Sequence, residues 1–356
     1  MAVLVVAVVL PVAAWLVLRP GSTGPSSSGT ASTAAVDMAE PVDVWSVGLV
    51  PQVVDDLVEI AGGAQFVAID LYPTHVSAKA PTAPGVTTID RYSWRDGRAA
   101  REGPTSDRLD VDELFDVTTV EWTSVEGLVA QVRNLTGIDD ASTSVSVERV
   151  SAGAPVRLRV YAGDDYGRHG IVTATAMGEI VWMKSDIEGS PAFEWEAAGL
   201  FPVERTQQAI DDLVEVVGGT QFVEVYVRRT SVSAKAPTTP GATTFDGFTW
   251  RDGFVERNGA APRSPRDESM FDITTVDWAA VEGLVAQVPD LTGISDDSPY
   301  VVARRKYWSE DRHASTPTVL GVMVSDDYYS AYITADATGK IVWMEGGAPG
   351  SPAAQW

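Results

Sequence analysis

VEGLVAQV stands at residues 125–132 and again at 281–288. The copies lie 156 residues apart (281 − 125). Three other strings keep that spacing: SAKAPT at 77–82 and 233–238, WRDG at 94–97 and 250–253, LTGI at 135–138 and 291–294. Chance does not place four strings in one register, so the chain carries an internal duplication. IVWM, at 180–183 and 341–344, is offset by 161, which puts five extra residues into the second copy near Lys306 to Thr316. Solenoid repeats run to about 20–50 residues, far shorter than this period. The duplication reads as two tandem domains, 44–198 and 199–356.

Periodicity divides each copy again. Val53, Val54, Leu57, Val58 and Ala61 follow helical spacing, and Gly62-Gly63 is a stop signal. Strand-like text follows: QFVAIDLY, THVSAKA, then TTIDRYSW. Asp96-Gly97 is a hairpin turn signal. A second helix, with Trp122, Val125, Leu128, Val129 and Val132 on one face, leads into TSVSVERV, VRLRVYA, GIVTATA and EIVWM. The second copy repeats the plan, with helices near 203–217 and 278–288 and Asp252-Gly253 as the matching turn. The expected fold is α+β: two tandem homologous domains, each of two helix-plus-antiparallel-meander units, after an N-terminal transmembrane helix.

That transmembrane anchor is read over residues 1–19. Met1 to Leu18 holds no charged side chain, and only Pro11 interrupts the apolar run. As a helix it would span about 27 Å, close to the ~30 Å hydrocarbon core. It exceeds the ~7–15 apolar residues of a signal peptide, and no small-x-small cleavage site follows closely. The expected location is the cell membrane, single-pass, with the C-terminal body outside the cytoplasm; secretion after cleavage is the alternative. Arg19, the sole charged residue before Asp37, follows the run and so runs against that orientation. Residues 20–43 read as a disordered Gly/Ser/Thr/Pro-rich linker. From Asp37 on the charge is 25 − 49 = −24, so a nearly neutral anchor and tether carry a strongly acidic body.

Composition narrows the chemistry. With 26 Lys+Arg against 49 Asp+Glu, the chain repels phosphate backbones, and no nucleic acid partner is expected. No cysteine is present, which removes disulfide scaffolds, cysteine-ligated metals and thiol catalysis. His75, His169 and His313 show no metal-ligand spacing, and the first two face Ser231 and Ser330 in the other copy. No GxSxG, SxxK, GxGxxG or GxxxxGK[ST] occurs, so no catalytic residue, metal or cofactor is assigned. Ser77/Lys79 and Ser233/Lys235 share strand spacing; the expected role is a polar face with lysine blunting a sheet edge. The repeated acids Asp96/Asp252, Asp116/Asp272, Asp139-Asp140/Asp296-Asp297 and Asp164-Asp165/Asp326-Asp327 fall where turns are expected.

The aromatics leave two readings open. Tyr92 and Trp94 alternate on a strand, Phe248 and Trp250 repeat them, and Trp182 and Trp343 sit on the last strand of each copy. They are either core beneath the helices or an aromatic sheet face that grips a partner, since Trp and Tyr dominate binding hot spots. The helix-then-meander order, doubled over 44–356, resembles the PepSY-like domains and β-lactamase-inhibitor-like proteins. The phrasing of YSWRDG, SDDYYSAYITAD and GKIVWM is similar to that of actinobacterial extracytoplasmic domains. The inhibitor-like resemblance implies a concave aromatic sheet surface that holds a loop of a target, with Tyr92, Trp94, Phe248 and Trp250 as its gripping residues. The expected function is therefore that of a membrane-anchored, non-catalytic binding module for an unnamed protein partner, in sensing, scaffolding or inhibition. The alternatives are a cell-envelope hydrolase with an unrecognised carboxylate site and a structural spacer.

Overall fold

The computed structural model describes residues 42–83, 85–108, 113–262, 270–295, 299–305 and 317–356. The anchor at 1–19, nearly all of the linker, and the insertion at 306–316 with Tyr307, Trp308 and His313 lie outside these residues. Among the described residues no helix is long and apolar enough to cross a membrane.

The first copy begins with α1 (Leu49–Ala61). Its buried residues Val50, Val53, Val54 and Leu57 form the apolar stripe of a 3.6-residue period, and Gly62, at φ 73°, ends it in the left-handed conformation that suits glycine. A short strand β1 (Gln65–Phe66) leads to the meander β2 (Ala68–Tyr72), β3 (His75–Pro81), β4 (Thr88–Arg95) and β5 (Arg98–Arg108). β6 (Phe115–Asp116) pairs back to β1, and a 3-10 turn at Val117–Thr119 follows, capped by the Asp116 carboxylate. Then come α2 (Trp122–Thr136), the meander β7 (Ser142–Glu148), β8 (Arg157–Gly163), β9 (His169–Thr175) and β10 (Ile180–Ser185), and the short α3 (Pro191–Ala198).

The two meanders form one antiparallel sheet of eight strands, β10-β9-β8-β7-β2-β3-β4-β5, joined at its centre where β2 pairs with β7. α1 lies over β3–β5 and α2 over β7–β9, and the helices touch each other on the same face. Each of the two expected helix-meander units is thus present, fused edge to edge. Strand alternation sends Ile69, Leu71, Val76, Ala78, Tyr92, Trp94, Val145, Val147, Leu158 and Val160 into the core beneath the helices.

The second copy repeats the order: α4 (Val203–Val217), β11 (Gln221–Phe222), β12 (Glu224–Val227), β13 (Ser231–Pro237), β14 (Phe245–Arg251), β15 (Phe254–Ala260), β16 (Phe271–Asp272), α5 (Ala279–Thr292), β17 (Tyr300–Arg305), β18 (Thr318–Ser325), β19 (Ser330–Asp336), β20 (Ile341–Gly346) and α6 (Pro352–Gln355). Its sheet runs β15-β14-β13-β12-β17-β18-β19-β20, element for element the first one again.

One expectation needs correcting. Lys79 and Lys235 do not blunt an edge, because β3 and β13 are interior strands. Lys79 instead reaches Asp107 on β5 at 2.7 Å, and Lys235 donates to the Pro262 carbonyl at 2.5 Å. Arg95 and Arg251, which follow the two WRDG tryptophans, are exposed. The repeated internal pairs are Arg101–Asp90 and Arg257–Asp246, each with its aspartate buried.

Candidate functional site

The four residues expected to grip a partner are buried in this structure. Tyr92, Trp94, Phe248 and Trp250 are at most 2 % exposed and belong to the two cores. Their strands direct them toward the helices, where each indole is also fixed by a carboxylate: Trp94 Nε1 donates to Asp56 at 3.0 Å and Trp250 Nε1 to Asp212 at 2.9 Å. A buried indole N–H needs such an acceptor. In this structure these four aromatics are core side chains.

The other face of each sheet, away from the helices, distinguishes the copies. In the first copy the second copy covers its β8–β10 corner. Arg157 Nη2 lies 2.7 Å from Asp212 Oδ1 of α4, and both side chains are buried. Arg157 Nε donates to the Gly253 carbonyl at 3.0 Å, Thr173 Oγ1 to the Asp252 carbonyl at 3.1 Å, and Ser151 Oγ to the Val255 carbonyl at 2.9 Å. The Arg159 guanidinium stacks on the Phe254 ring at 4.2 Å. The β14–β15 turn therefore presses onto the first sheet, and Trp182 packs into the core cluster of the second copy. A Cβ on Gly253 would stand 2.8 Å from Thr173 Cγ2 and 3.1 Å from Val181 Cγ2, so the approach requires glycine there.

Strand pairing identifies the equivalent corner of the second sheet. Arg157 pairs with Thr175, and Val319 with Asp336, 161 residues on. Val319 thus replaces Arg157, Gly321 replaces Arg159, Met323 replaces Tyr161 and Tyr332 replaces Ile171. Thr334 and Trp343 match Thr173 and Trp182. Even the bulge before the tryptophan recurs. Among the described residues no turn of another copy lies on this corner, and its exposure is confined to the strand that carries the tryptophan, since Val319 and Thr334 are buried. Val181 and Trp182 are each 8 % exposed; Val342 is 44 % exposed and Trp343 is half-buried.

Around this corner runs a band of aromatics with no counterpart in the first sheet. Tyr300, Met323 and Tyr332 are cross-strand neighbours on β17, β18 and β19. Tyr226 sits 6.2 Å from Tyr300 between ring centroids, and Tyr332 makes an edge contact with Trp343 at 6.1 Å. Arg228 lies over both Tyr226 and Tyr300, at 5.5 and 5.8 Å. Arg304, beside Val319, reaches the Tyr332 hydroxyl at 3.5 Å. A shallow hollow of about 490 Å³ opens between Tyr300, Met323, Ser330, Tyr332 and Glu345. In the first sheet Asp70, Ser144, Tyr161 and Ile171 take the corresponding places. Of the six expected partner-binding residues, Trp343 lies on this face, Trp182 lies between the copies, and four are core. Tyr332 in SDDYYSAYITAD and Tyr300 at the start of β17 carried the missing signal. Weighing residues by their repetition at the fixed offset hid them, because this band is not repeated.

The acidic groups are mostly explained by local structure. Asp116 and Asp272 are held below the usual carboxylate range chiefly by hydrogen bonds from the Thr118 and Thr274 side chains. Asp336 is lowered in the same way by Thr338. Glu148 is the exception: burial pushes it up, Asp70 adds to the effect and Arg159 opposes it. His75 is pushed down by burial and then by Arg95, and stacks on Tyr72 at 4.6 Å. His169 pairs with Asp186 at 2.7 Å on the surface. Among the described residues no three His, Cys, Asp or Glu side chains gather to hold a metal ion.

Comparison with known proteins adds little to this geometry. No family model matches the chain, and no curated protein matches it. Among solved structures it is similar to the Bacillus megaterium YpeB C-terminal domain, at 10% identity and a TM-score of 0.19, over 63% of this chain and 97% of that one. A likeness at that level carries no family and no function to this chain.

Proposed function

We propose that the chain is a membrane-anchored, extracytoplasmic, non-catalytic binding module that holds a protein partner on the outer face of its second sheet. The observation that carries the reading is the contrast between the two sheets. The same bulged Val-Trp corner is sealed by the other copy in the first sheet, whereas among the described residues of the second sheet Val342 is exposed and Trp343 half-buried, framed by Tyr226, Tyr300, Met323 and Tyr332. Tyrosine and tryptophan on a rigid sheet give a large contact area at low cost in side-chain entropy, and together with methionine they are enriched at interface cores. The apolar run at 1–18 supports the anchoring, and the stretch after it supports a tether that lets the acidic body reach a partner.

The test uses the full chain in mild detergent, immobilised and exposed to the native envelope and secreted fractions. A partner should be captured saturably by the natural chain and lost with Trp343→Ala or Tyr332→Ala, with melting temperature little changed. Capture that survives both substitutions would contradict the reading. Trp94→Ala is unsuitable as a binding probe: removing so buried an indole costs about 3–5 kcal/mol and tests folding instead.

A further inference from the structure

We infer that the open corner of the second sheet receives the β4–β5 turn of a second copy of this chain, repeating between molecules the contact that the two halves make within one. The inference rests on the binding-face reading above and names the partner.

The internal contact is heterologous: the turn and first helix of one copy dock on the outer sheet corner of the other. Such a contact leaves one unused surface of each kind. Among the described residues, the sheet corner on which no turn docks is the one around Trp343. The unused turn is Asp96-Gly97-Arg98, with Asp56 on α1 beside it as the equivalent of Asp212. Asp96, Gly97 and Arg98 are exposed, and a Cβ on Gly97 would meet nothing within 4 Å, whereas on Gly253 it would strike the first sheet. The backbone of the turn is ready-made, since Asp96 and Gly97 have φ 50° and 76° against 56° and 84° for Asp252 and Gly253.

The side chains that differ between the halves differ in a complementary way. Inside the molecule a cation on the sheet, Arg159, faces an aromatic on the turn, Phe254. On the unused surfaces the turn carries the cation, Arg98, in the place of Phe254. The sheet carries the aromatic, Tyr332, whose ring lies over Gly321 so that a Cβ there would overlap its hydroxyl. The cation–π pair is thus available with its two members exchanged. The ion pair is also available. Asp212 meets Arg157 on β8 inside the molecule. Asp56 would meet a sheet where Val319 replaces that arginine, but Arg304 stands directly across from Val319 on β17.

The chain has no cysteine, so a disulfide test is clean. Full chain carrying Asp96→Cys is mixed with full chain carrying Val342→Cys under mild oxidation at about 0.15 M salt, where the Debye length of ~8 Å screens the net charge. The mixed disulfide should outnumber both same-residue dimers, and the double variant should give ladders or closed rings. Sedimentation of the cysteine-free chain should show concentration-dependent association, weakened about tenfold or more by Arg98→Glu. Random pairing of the thiols, or association indifferent to Arg98→Glu, would overturn the inference. If the natural chain stays monomeric while Trp343→Ala still abolishes capture from the envelope fraction, the face binds a foreign protein. Self-docking then fails and the binding-face reading stands.

Discussion

Asp56 and Asp212 occupy the same place in the two copies and hold the same tryptophan, yet they differ in consequence. Asp212 also faces Arg157, and both are buried. Asp212→Ala leaves that guanidinium uncompensated, which costs about 3–5 kcal/mol. Asp56→Ala leaves one buried indole N–H without its acceptor, which costs about 1–3 kcal/mol, and strands no buried charge. Thermal melts of the two variants should separate accordingly, and equal losses would show that the copies do not pack through Arg157. Glu148 makes a second residue-scale prediction. Its carboxyl holds a proton to higher pH in the folded chain than in the unfolded one. It therefore opposes folding increasingly as pH rises through the window above the ordinary glutamate value, and does so least below it. Glu148→Gln should remove that slope from a plot of stability against pH; an unchanged slope would show that burial does not govern this carboxyl. Neither effect was legible in the sequence. Asp212 and Arg157 are 55 positions apart (212 − 157), and nothing in their spacing brings them together.

At the scale of elements the sequence was more informative. The α1 stripe, its glycine stop and the Asp-Gly turns were all readable, because helix period, left-handed caps and primed turns depend on neighbouring residues. The direction of the aromatic pair was not, because alternation says that Tyr92 and Trp94 share a face without saying which face the helices cover. Nor was the fusion of the two meanders into one sheet, since the edge-to-edge pairing of β2 with β7 joins segments some 75 residues apart (145 − 70). The two turns give an element-scale prediction. Gly97→Ala and Gly253→Ala both force a side chain into the left-handed region, at about 1 kcal/mol. Only Gly253→Ala also meets Thr173 and Val181. It should therefore be the more destabilising, and should raise the fluorescence exposure of Trp182 while Gly97→Ala does not. Equal effects would mean that the turn is not pressed on the first sheet.

For the whole molecule, duplication followed by divergence of one surface explains why two nearly identical sheets differ in use. The first sheet spends its β8–β10 corner on holding the second copy, through Arg157, Thr173 and Trp182. The second keeps the scaffold, bulge and tryptophan, but replaces the arginines with Val319 and Gly321 and adds Tyr226, Tyr300 and Tyr332. The duplication and the acidic charge were visible at once in the sequence. The asymmetry of surface was not, because it is defined by what one copy covers on the other. The most direct measurement is hydroxyl-radical footprinting of the full chain in detergent, with and without the native envelope fraction. Tyr226, Tyr300, Met323, Tyr332 and Trp343 should become protected together, while Tyr166, exposed on the first copy, keeps its reactivity. Unchanged reactivity across those five, with protection elsewhere, would contradict a binding face on the second sheet.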